Sequence, residues 1–230
     1  GFRSIDGEQG ARPKVVCHYL LEKMRVAGIT TAYIVLREGK WDIPTYLGDG
    51  SMLGMHFAYL MMDAPFGVPY TLDQAYPFVQ DTVVAFGFAD ILFQSEDAFS
   101  RLLARKSASE ADAVLGLFPA DRPEKVDMVE IDDKNYVRQI LIRPRQTLLK
   151  YTWGIAVWTP AFTHFLHSHL ATHKALATTM PELSVGDIFR VAIHEGLHIE
   201  AIHVSNSPYL DIGTPEDLVE AARRFSAPIT

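Results

Sequence analysis

Apolar stretches that predict strands alternate with stretches of helical spacing through the first half of the chain. Residues 31–36 read Thr-Ala-Tyr-Ile-Val-Leu, a β-branched run typical of a buried strand. Before it, residues 14–26 carry apolar side chains at roughly helical spacing, and Gly28 follows where a helix commonly ends. Strands that alternate with helices generally form a parallel sheet with helices on both faces. The alternation therefore predicts an α/β fold.

The rest of the chain extends this pattern and adds one antiparallel element. Residues 126–131 and 136–142 predict two strands, and the polar tetrad Asp-Asp-Lys-Asn between them predicts a hairpin turn. We expect a mixed, mainly parallel central sheet in a single domain over residues 1–230. Further strands are predicted at 56–61, 82–87, 113–118, 154–158 and 197–204. Further helices are predicted at 41–47, 71–79, 98–106, 160–173, 185–195 and 215–225.

Charge and composition argue against several classes of partner. The 230 residues carry a formal net charge of −7, so we expect no binding of nucleic acid. No apolar run approaches the ~20 residues that a membrane span needs, and the first residues lack a signal-peptide pattern. A single cysteine, Cys17, excludes a disulfide framework and favours a reducing, cytoplasmic setting. A homo-oligomer stays open.

Two aspartates follow stretches that predict strands. Asp90 ends the apolar run 83–89, and Asp211 lies between a predicted strand and a turn at Gly213. Aspartate commonly caps turns, so Asp90 also has a purely structural explanation. A helix start at Thr214 and Pro215 leaves Asp211 without one. In open α/β sheets, however, ligands bind beyond the carboxyl ends of the strands. Carboxylate oxygens there are suitable ligands for Mg²⁺, so the pair is a candidate metal site.

Three motifs, in order, resemble those of sugar-1-phosphate nucleotidyltransferases, the family of glucose-1-phosphate thymidylyltransferases and mannose-1-phosphate guanylyltransferases. Asp-Ile-Gly-Thr-Pro-Glu-Asp-Leu at 211–218 is similar to the C-terminal signature. Leu-Gly-Asp-Gly-Ser-x-x-Gly at 47–54 and Ala-Gly-Ile at 27–29 are similar to two others. The resemblance covers residues 13–222 and implies the Rossmann-like nucleotide-diphospho-sugar transferase fold.

The resemblance also implies roles for individual residues. Lys14 matches a lysine that contacts phosphate near the nucleotide, and Asp90 and Asp211 match the catalytic pair that binds Mg²⁺. Arg143 stands where the family has a lysine that binds the sugar phosphate, and arginine offers phosphate a bidentate fork. The further residues implied in substrate binding are Gly67, Gly154 and Trp153.

The sequence departs from the family pattern at several positions. The family's Gly-x-Gly-Thr-Arg loop does not occur in it. The resemblance therefore implies a domain without the expected first strand and glycine-rich loop, and we expect that segment to precede the chain. The family's acidic sugar contact is Ile142, and the glutamine of its base-reading stretch is Met62. These departures leave the base and the sugar open.

The resemblance implies an enzyme that joins a sugar-1-phosphate to a nucleoside triphosphate, with Mg²⁺ as cofactor and release of pyrophosphate. The departures keep open a non-catalytic module that binds sugar nucleotides on the same fold.

A remote alternative is a zinc metalloprotease, because residues 194–198 read His-Glu-Gly-Leu-His. That chemistry needs His194 and His198 on one face of a continuous helix. Gly196 lies between them, and the residues after it alternate as in a strand. We therefore expect the helix to end at Gly196 and the two histidines to lie on different elements.

Overall fold

The computed structural model describes residues 4–5, 12–62, 66–173, 182–213 and 217. The helices are α1 (Val16–Val26), α2 (Asp42–Leu47), α3 (Val68–Asp73), α4 (Tyr76–Val79), α5 (Ala98–Ser107), α6 (Pro160–His173) and α7 (Val185–His194). The strands are β1 (Ser4–Ile5), β2 (Arg12–Pro13), β3 (Thr31–Arg37), β4 (His56–Met62), β5 (Val84–Gly87), β6 (Ile91–Leu92), β7 (Ala113–Pro119), β8 (Met128–Ile131), β9 (Val137–Leu141), β10 (Tyr151–Trp158), β11 (Ile199–His203) and β12 (Leu210–Asp211). No helix among these residues is long and apolar enough to cross a membrane.

Helix α1 shows how local sequence sets an element. Leu20, Leu21 and Met24 lie one turn apart or adjacent and are buried together. Gly28, with φ of 84°, follows the last turn and donates its N–H to the Arg25 carbonyl at 2.9 Å. Glycine adopts this left-handed conformation without the steric cost of a Cβ. The helix therefore ends where the sequence predicted.

A six-stranded sheet in the order β11-β7-β10-β8-β9, with β5 also on β10, forms the centre of the fold. β10 is antiparallel to β5, β7 and β8, and β11 is parallel to β7. Four strands (β5, β7, β8 and β11) therefore run one way, whereas β9 and β10 run the other way. The predicted mixed sheet and its 126–142 hairpin are confirmed. β3 and β4 form a separate parallel pair.

Alternate side chains of β7 and β10 pack into two clusters on opposite faces of the sheet. Leu115 and Leu117 lie in one cluster with side chains of α6 and α7. Val114 and Phe118 lie in the other with side chains of α1 and α5. Each of these four side chains is fully buried. This period-two division confirms that helices cover both faces of the sheet.

The helix predicted at 71–79 is wrong in its bounds, because the structure has two short helices, α3 and α4, on either side of Gln74 and Ala75. Pro77 lies in the first turn of α4. Proline has no N–H to donate to a carbonyl one turn earlier, so it begins a helix more readily than it continues one. The helix predicted at 215–225 lies outside the described residues, apart from residue 217.

Candidate active site

Two short strands bring Asp90 and Asp211 together. β6 pairs antiparallel with β12, with Asp211 opposite Ile91. The N–H of Ile212 donates to the Asp90 carbonyl at 2.9 Å. Asp90 follows β5 by three residues, so the carboxyl end of β5 and the end of the described chain meet here. The predicted aspartate pair is therefore adjacent in space.

The two carboxylates converge on Gly213. A Cβ on this glycine would lie 3.2 Å from Asp211 Oδ1 and 3.9 Å from Asp90 Oδ2. The Gly213 N–H donates to Asp211 Oδ1 at 2.9 Å. Partial desolvation and the negative charge of Asp211 raise the pKa of Asp90. A cation between the carboxylates would offset their mutual repulsion.

A cavity of about 820 Å³ opens over this pair. Its wall includes three basic residues, of which Arg143 follows β9, while Arg122 and Lys125 lie in the loop between β7 and β8. Arg122 also pairs with Asp217 across 3.4 Å. The cavity therefore combines acidic groups for a cation with basic groups for phosphate. The acidic lining residues are Asp90, Asp121, Glu124, Asp211 and Asp217.

Arg122 and Lys125 are lining residues that the sequence interpretation missed. They lie beyond Pro119, the carboxyl end of β7. Arg122 directly precedes a short 3-10 turn over Pro123–Lys125, and Lys125 ends it. The available signal was the rule that ligands bind beyond the carboxyl ends of strands in α/β sheets. That rule had been applied to Asp90 and Asp211 but not to the loop after β7.

Tyr209 lies between the candidate metal ligands, Asp90 and Asp211, and the core. Burial raises the pKa of its hydroxyl to about 12, so the hydroxyl stays protonated. Its ring meets the Phe118 ring edge-on at 5.3 Å. A Cβ on Gly154 would lie 3.1 Å from this ring and 3.0 Å from Ile91. Gly154 thus allows both side chains to pack against β10.

The family model of the nucleotidyl transferases matches residues 11–227. The chain belongs to the nucleotidyl transferase family. A low-salt glycan biosynthesis nucleotidyltransferase, Agl11 of Haloferax volcanii, is 25% identical over 210 residues, which are 90% of this chain and 56% of that protein. A glucose-1-phosphate thymidylyltransferase of Neisseria gonorrhoeae is 24% identical over 210 residues, which are 91% of this chain and 71% of that protein.

A solved structure gives the fold of this nucleotidyl transferase. A Bacillus anthracis protein assigned as a glucose-1-phosphate thymidylyltransferase, in complex with sucrose, superposes with a TM-score of 0.77 at 19% identity. The alignment covers 100% of this chain and 88% of that one. The predicted Rossmann-like nucleotidyltransferase fold is confirmed. The chain spans little more than half the length of Agl11.

The cavity of this nucleotidyl transferase is lined by three of the predicted site residues, Asp90, Asp211 and Arg143. Lys14 is not among its lining residues; its ammonium group pairs with Glu22 and lies 4.0 Å from the centre of the Tyr19 ring.

The other three predicted substrate contacts, Gly67, Gly154 and Trp153, are likewise not among the lining residues of the cavity. Trp153 is only 3% exposed and packs against Phe189 in the core. Gly67, with φ of 106°, precedes α3, and a Cβ there would lie 2.5 Å from the Leu183 carbonyl oxygen. The contacts of Trp153 and Gly67 are those of packing residues.

The structure argues against the zinc site at 194–198. Helix α7 ends at His194, and Gly196 has φ of 90°. The N–H of Leu197 closes the helix by donating to Ala192 at 2.9 Å. The N–H of His198 instead donates to the Asp112 carboxylate. The two histidines lie on different elements, as predicted.

The aspartate pair fits a magnesium ion by the chemistry of its donors. No group of three or more histidine, cysteine, aspartate or glutamate side chains that could hold a metal forms within the described part of the chain. Mg²⁺ commonly takes only one or two protein carboxylates and completes its shell with water and phosphate oxygens. Two carboxylates beside a wall that also carries basic residues match that preference.

Proposed function

We propose that this nucleotidyl transferase joins a sugar-1-phosphate to a nucleoside triphosphate, with Mg²⁺, to form a nucleotide sugar and pyrophosphate. The observation that carries the proposal is that the carboxylates of Asp90 and Asp211 lie close together in a cavity that Arg143 also lines. The related thymidylyltransferase of Neisseria gonorrhoeae supports the class of substrate by its name.

The reaction needs positioning and charge neutralisation more than covalent chemistry. An oxygen of the sugar phosphate attacks the α-phosphorus of the triphosphate, and a new P–O bond forms. The bond to the bridging oxygen breaks in line, and pyrophosphate leaves with the electron pair. Arg143 would hold the sugar phosphate, while Lys125 and Arg122 would offset the negative charge of the phosphates in the same cavity.

Asp90 and Asp211 would hold the magnesium ion, which supplies charge neutralisation and alignment of the phosphates when bound. The protonated Tyr209 hydroxyl adds a neutral hydrogen-bonding group to this wall. Lys14 enters the proposal as a nucleotide-phosphate contact, and this role requires its ammonium group to leave Glu22.

Pyrophosphate release tests the proposal. The purified full-length protein is incubated with Mg²⁺, a panel of nucleoside triphosphates and a panel of sugar-1-phosphates. We expect release with at least one pair, loss of release on chelation of the metal, and recovery when Mg²⁺ is returned. Asp211→Asn keeps the shape of the side chain but removes its charge, so kcat should fall roughly a hundredfold or more.

A matched control is Asp133→Asn, since Asp133 is an exposed aspartate in the hairpin turn between β8 and β9. We expect its kcat to stay within twofold of the original protein. Absence of pyrophosphate release with every pair, or full activity in Asp211→Asn, would contradict the proposal.

A non-catalytic module that binds sugar nucleotides is the second candidate. It is favoured by Lys14, which pairs with Glu22 away from the cavity lining, and by Ile142 at the position of the acidic sugar contact. This candidate predicts that a nucleotide sugar raises the Tm of the protein without any turnover.

A further inference from the structure

Asp127 is a partly buried carboxylate next to Val126, a lining residue of the cavity. It directly precedes β8, whose first residue pairs with Thr152 on one side and Leu141 on the other. The antiparallel registers place Asp127 level with Trp153 and Ile142 on the neighbouring strands. Asp127 therefore lies at the centre of three adjacent strands, at the end of the sheet that borders the cavity.

The carboxylate of Asp127 occupies a space that a glycine leaves open. A Cβ on Gly186, in the first turn of α7, would overlap Asp127 Oδ2 and would lie 2.9 Å from the end of the Ile142 side chain. Gly186 has an ordinary helical backbone, so its lack of a side chain matters for space and not for conformation. The position of the Asp127 carboxylate thus depends on the absence of a side chain at Gly186.

Asp127 acts on Arg143 through both its backbone and its charge. Desolvation raises the pKa of Asp127 to about 6, and the Arg143 guanidinium is the strongest influence that lowers it. Hydrogen bonding with the Trp153 side chain and the Arg143 backbone also lowers the pKa of this carboxyl, by less than the charge of Arg143 does. Arg143 has φ of 42°, the left-handed conformation that side chains other than glycine adopt only under strain.

Arg143 connects Asp127 to the cavity. The cavity wall contains Arg143 and Val126, the residue before Asp127. A residue in a strained conformation needs contacts that hold it there. The strand register places Asp127 level with the residue before Arg143, and the negative charge of its carboxylate attracts the guanidinium group.

We propose that Asp127 is a positioning residue that holds Arg143 in its left-handed conformation and keeps the guanidinium at the cavity wall, ready for the phosphate of the sugar-1-phosphate. This inference rests on the proposed function, because it assigns a task to Asp127 in the binding of that substrate. Asp127 itself does not touch the reacting atoms.

Steady-state kinetics with the best substrate pair test the role of Asp127. We expect Asp127→Ala to raise KM for the sugar-1-phosphate about tenfold, the effect of losing one charged hydrogen bond. KM for the nucleoside triphosphate and kcat should stay within about threefold. Asp127→Asn keeps an acceptor for the Arg143 N–H, so its KM should rise less. Glu130→Gln, at an exposed position of β8, is the matched control and should change nothing.

A double-mutant cycle separates positioning from a general structural role. In an Arg143→Ala background, where no guanidinium remains to be held, Asp127→Ala should change the sugar-phosphate KM less than twofold. An equal tenfold change in both backgrounds, or an unchanged KM in Asp127→Ala alone, overturns the inference. If the alanine variant does not fold, the same cycle with Asp127→Asn decides the question.

The outcomes also distinguish this inference from the proposed function. If the original protein releases no pyrophosphate with any substrate pair, both the proposed function and this inference are contradicted. An active original protein whose Asp127 variants keep the same KM removes only the role of Asp127.

Discussion

Replacement of Asp127 by asparagine should make the protein more stable at neutral pH. Burial raises the pKa of this carboxyl from an ordinary 3.8 to about 6, although Arg143 and hydrogen bonds from Trp153 and the Arg143 backbone oppose the shift; Asp187 on α7 adds to it. The folded protein therefore binds this proton more tightly than the unfolded chain. The free energy of unfolding consequently falls as the pH rises from about 4 to about 6.

The size of the effect follows from the pKa difference. A rise from 3.8 to about 6 corresponds to about 3 kcal/mol, an upper limit because the folded protein can relax around the charge. Asparagine fills the same volume without a charge that must be buried. We therefore expect the free energy of unfolding of Asp127→Asn to exceed that of the original protein by about 1–3 kcal/mol at pH 7 and to equal it near pH 3.5.

Urea unfolding at a series of pH values from 3.5 to 8 measures this difference directly, and thermal unfolding should show a Tm higher by several degrees at pH 7. Asp133→Asn, at an exposed turn position, should change the unfolding free energy by less than about 0.5 kcal/mol at every pH. A variant less stable than the original protein at pH 7, or a difference that does not depend on pH, would refute the reasoning.

Two further substitutions test the packing around the sheet. Gly186→Ala should lower the unfolding free energy by about 1–3 kcal/mol, because the new Cβ overlaps the Asp127 carboxylate. Urea unfolding should show that the double variant with Asp127→Ala regains most of this loss. Arg105→Ala should cost about 3 kcal/mol or more in the same assay, because it removes the partner, at 2.6 Å, of Glu200, which is only 3% exposed. Arg190→Ala, at an exposed pair on α7, should cost less than about 1 kcal/mol.

Elements defined by local sequence were predictable to within a few residues. β3 was predicted at 31–36 and extends over Thr31–Arg37, because a β-branched apolar run favours a buried strand wherever it lies. The end of α7 was predicted from Gly196 and from the strand-like alternation that follows it, which are both local features, and Gly196 has the positive φ that ends a helix. Both predictions needed no knowledge of distant contacts.

Elements created by distant contacts were not predictable in this way. β6 and β12 have two residues each, and each exists only because the other lies beside it. Their pairing brings Asp90 and Asp211 together. The local pattern placed each aspartate after a predicted strand, and the family motifs matched the two as a metal-binding pair, but neither predicted the ladder between β6 and β12. Asp127 gave no local signal at all, because an aspartate at the start of a hairpin strand resembles an ordinary exposed position.

The cavity forms where two strands part along one edge of β10. On that edge, β5 pairs with residues 155–158 and β8 pairs with residues 151–152. Residues 153–154 lie between the two ladders, and no further pairing is found there in the described part of the chain. Asp90 continues the chain after β5, whereas Asp127 precedes β8, so the break gives the sheet an acidic group on each side. The charge that acts on Asp90 is that of Asp211, so this side is suited to a cation. The strongest opposite charge acting on Asp127 is that of Arg143, so this carboxylate is suited to orienting an anion-binding side chain.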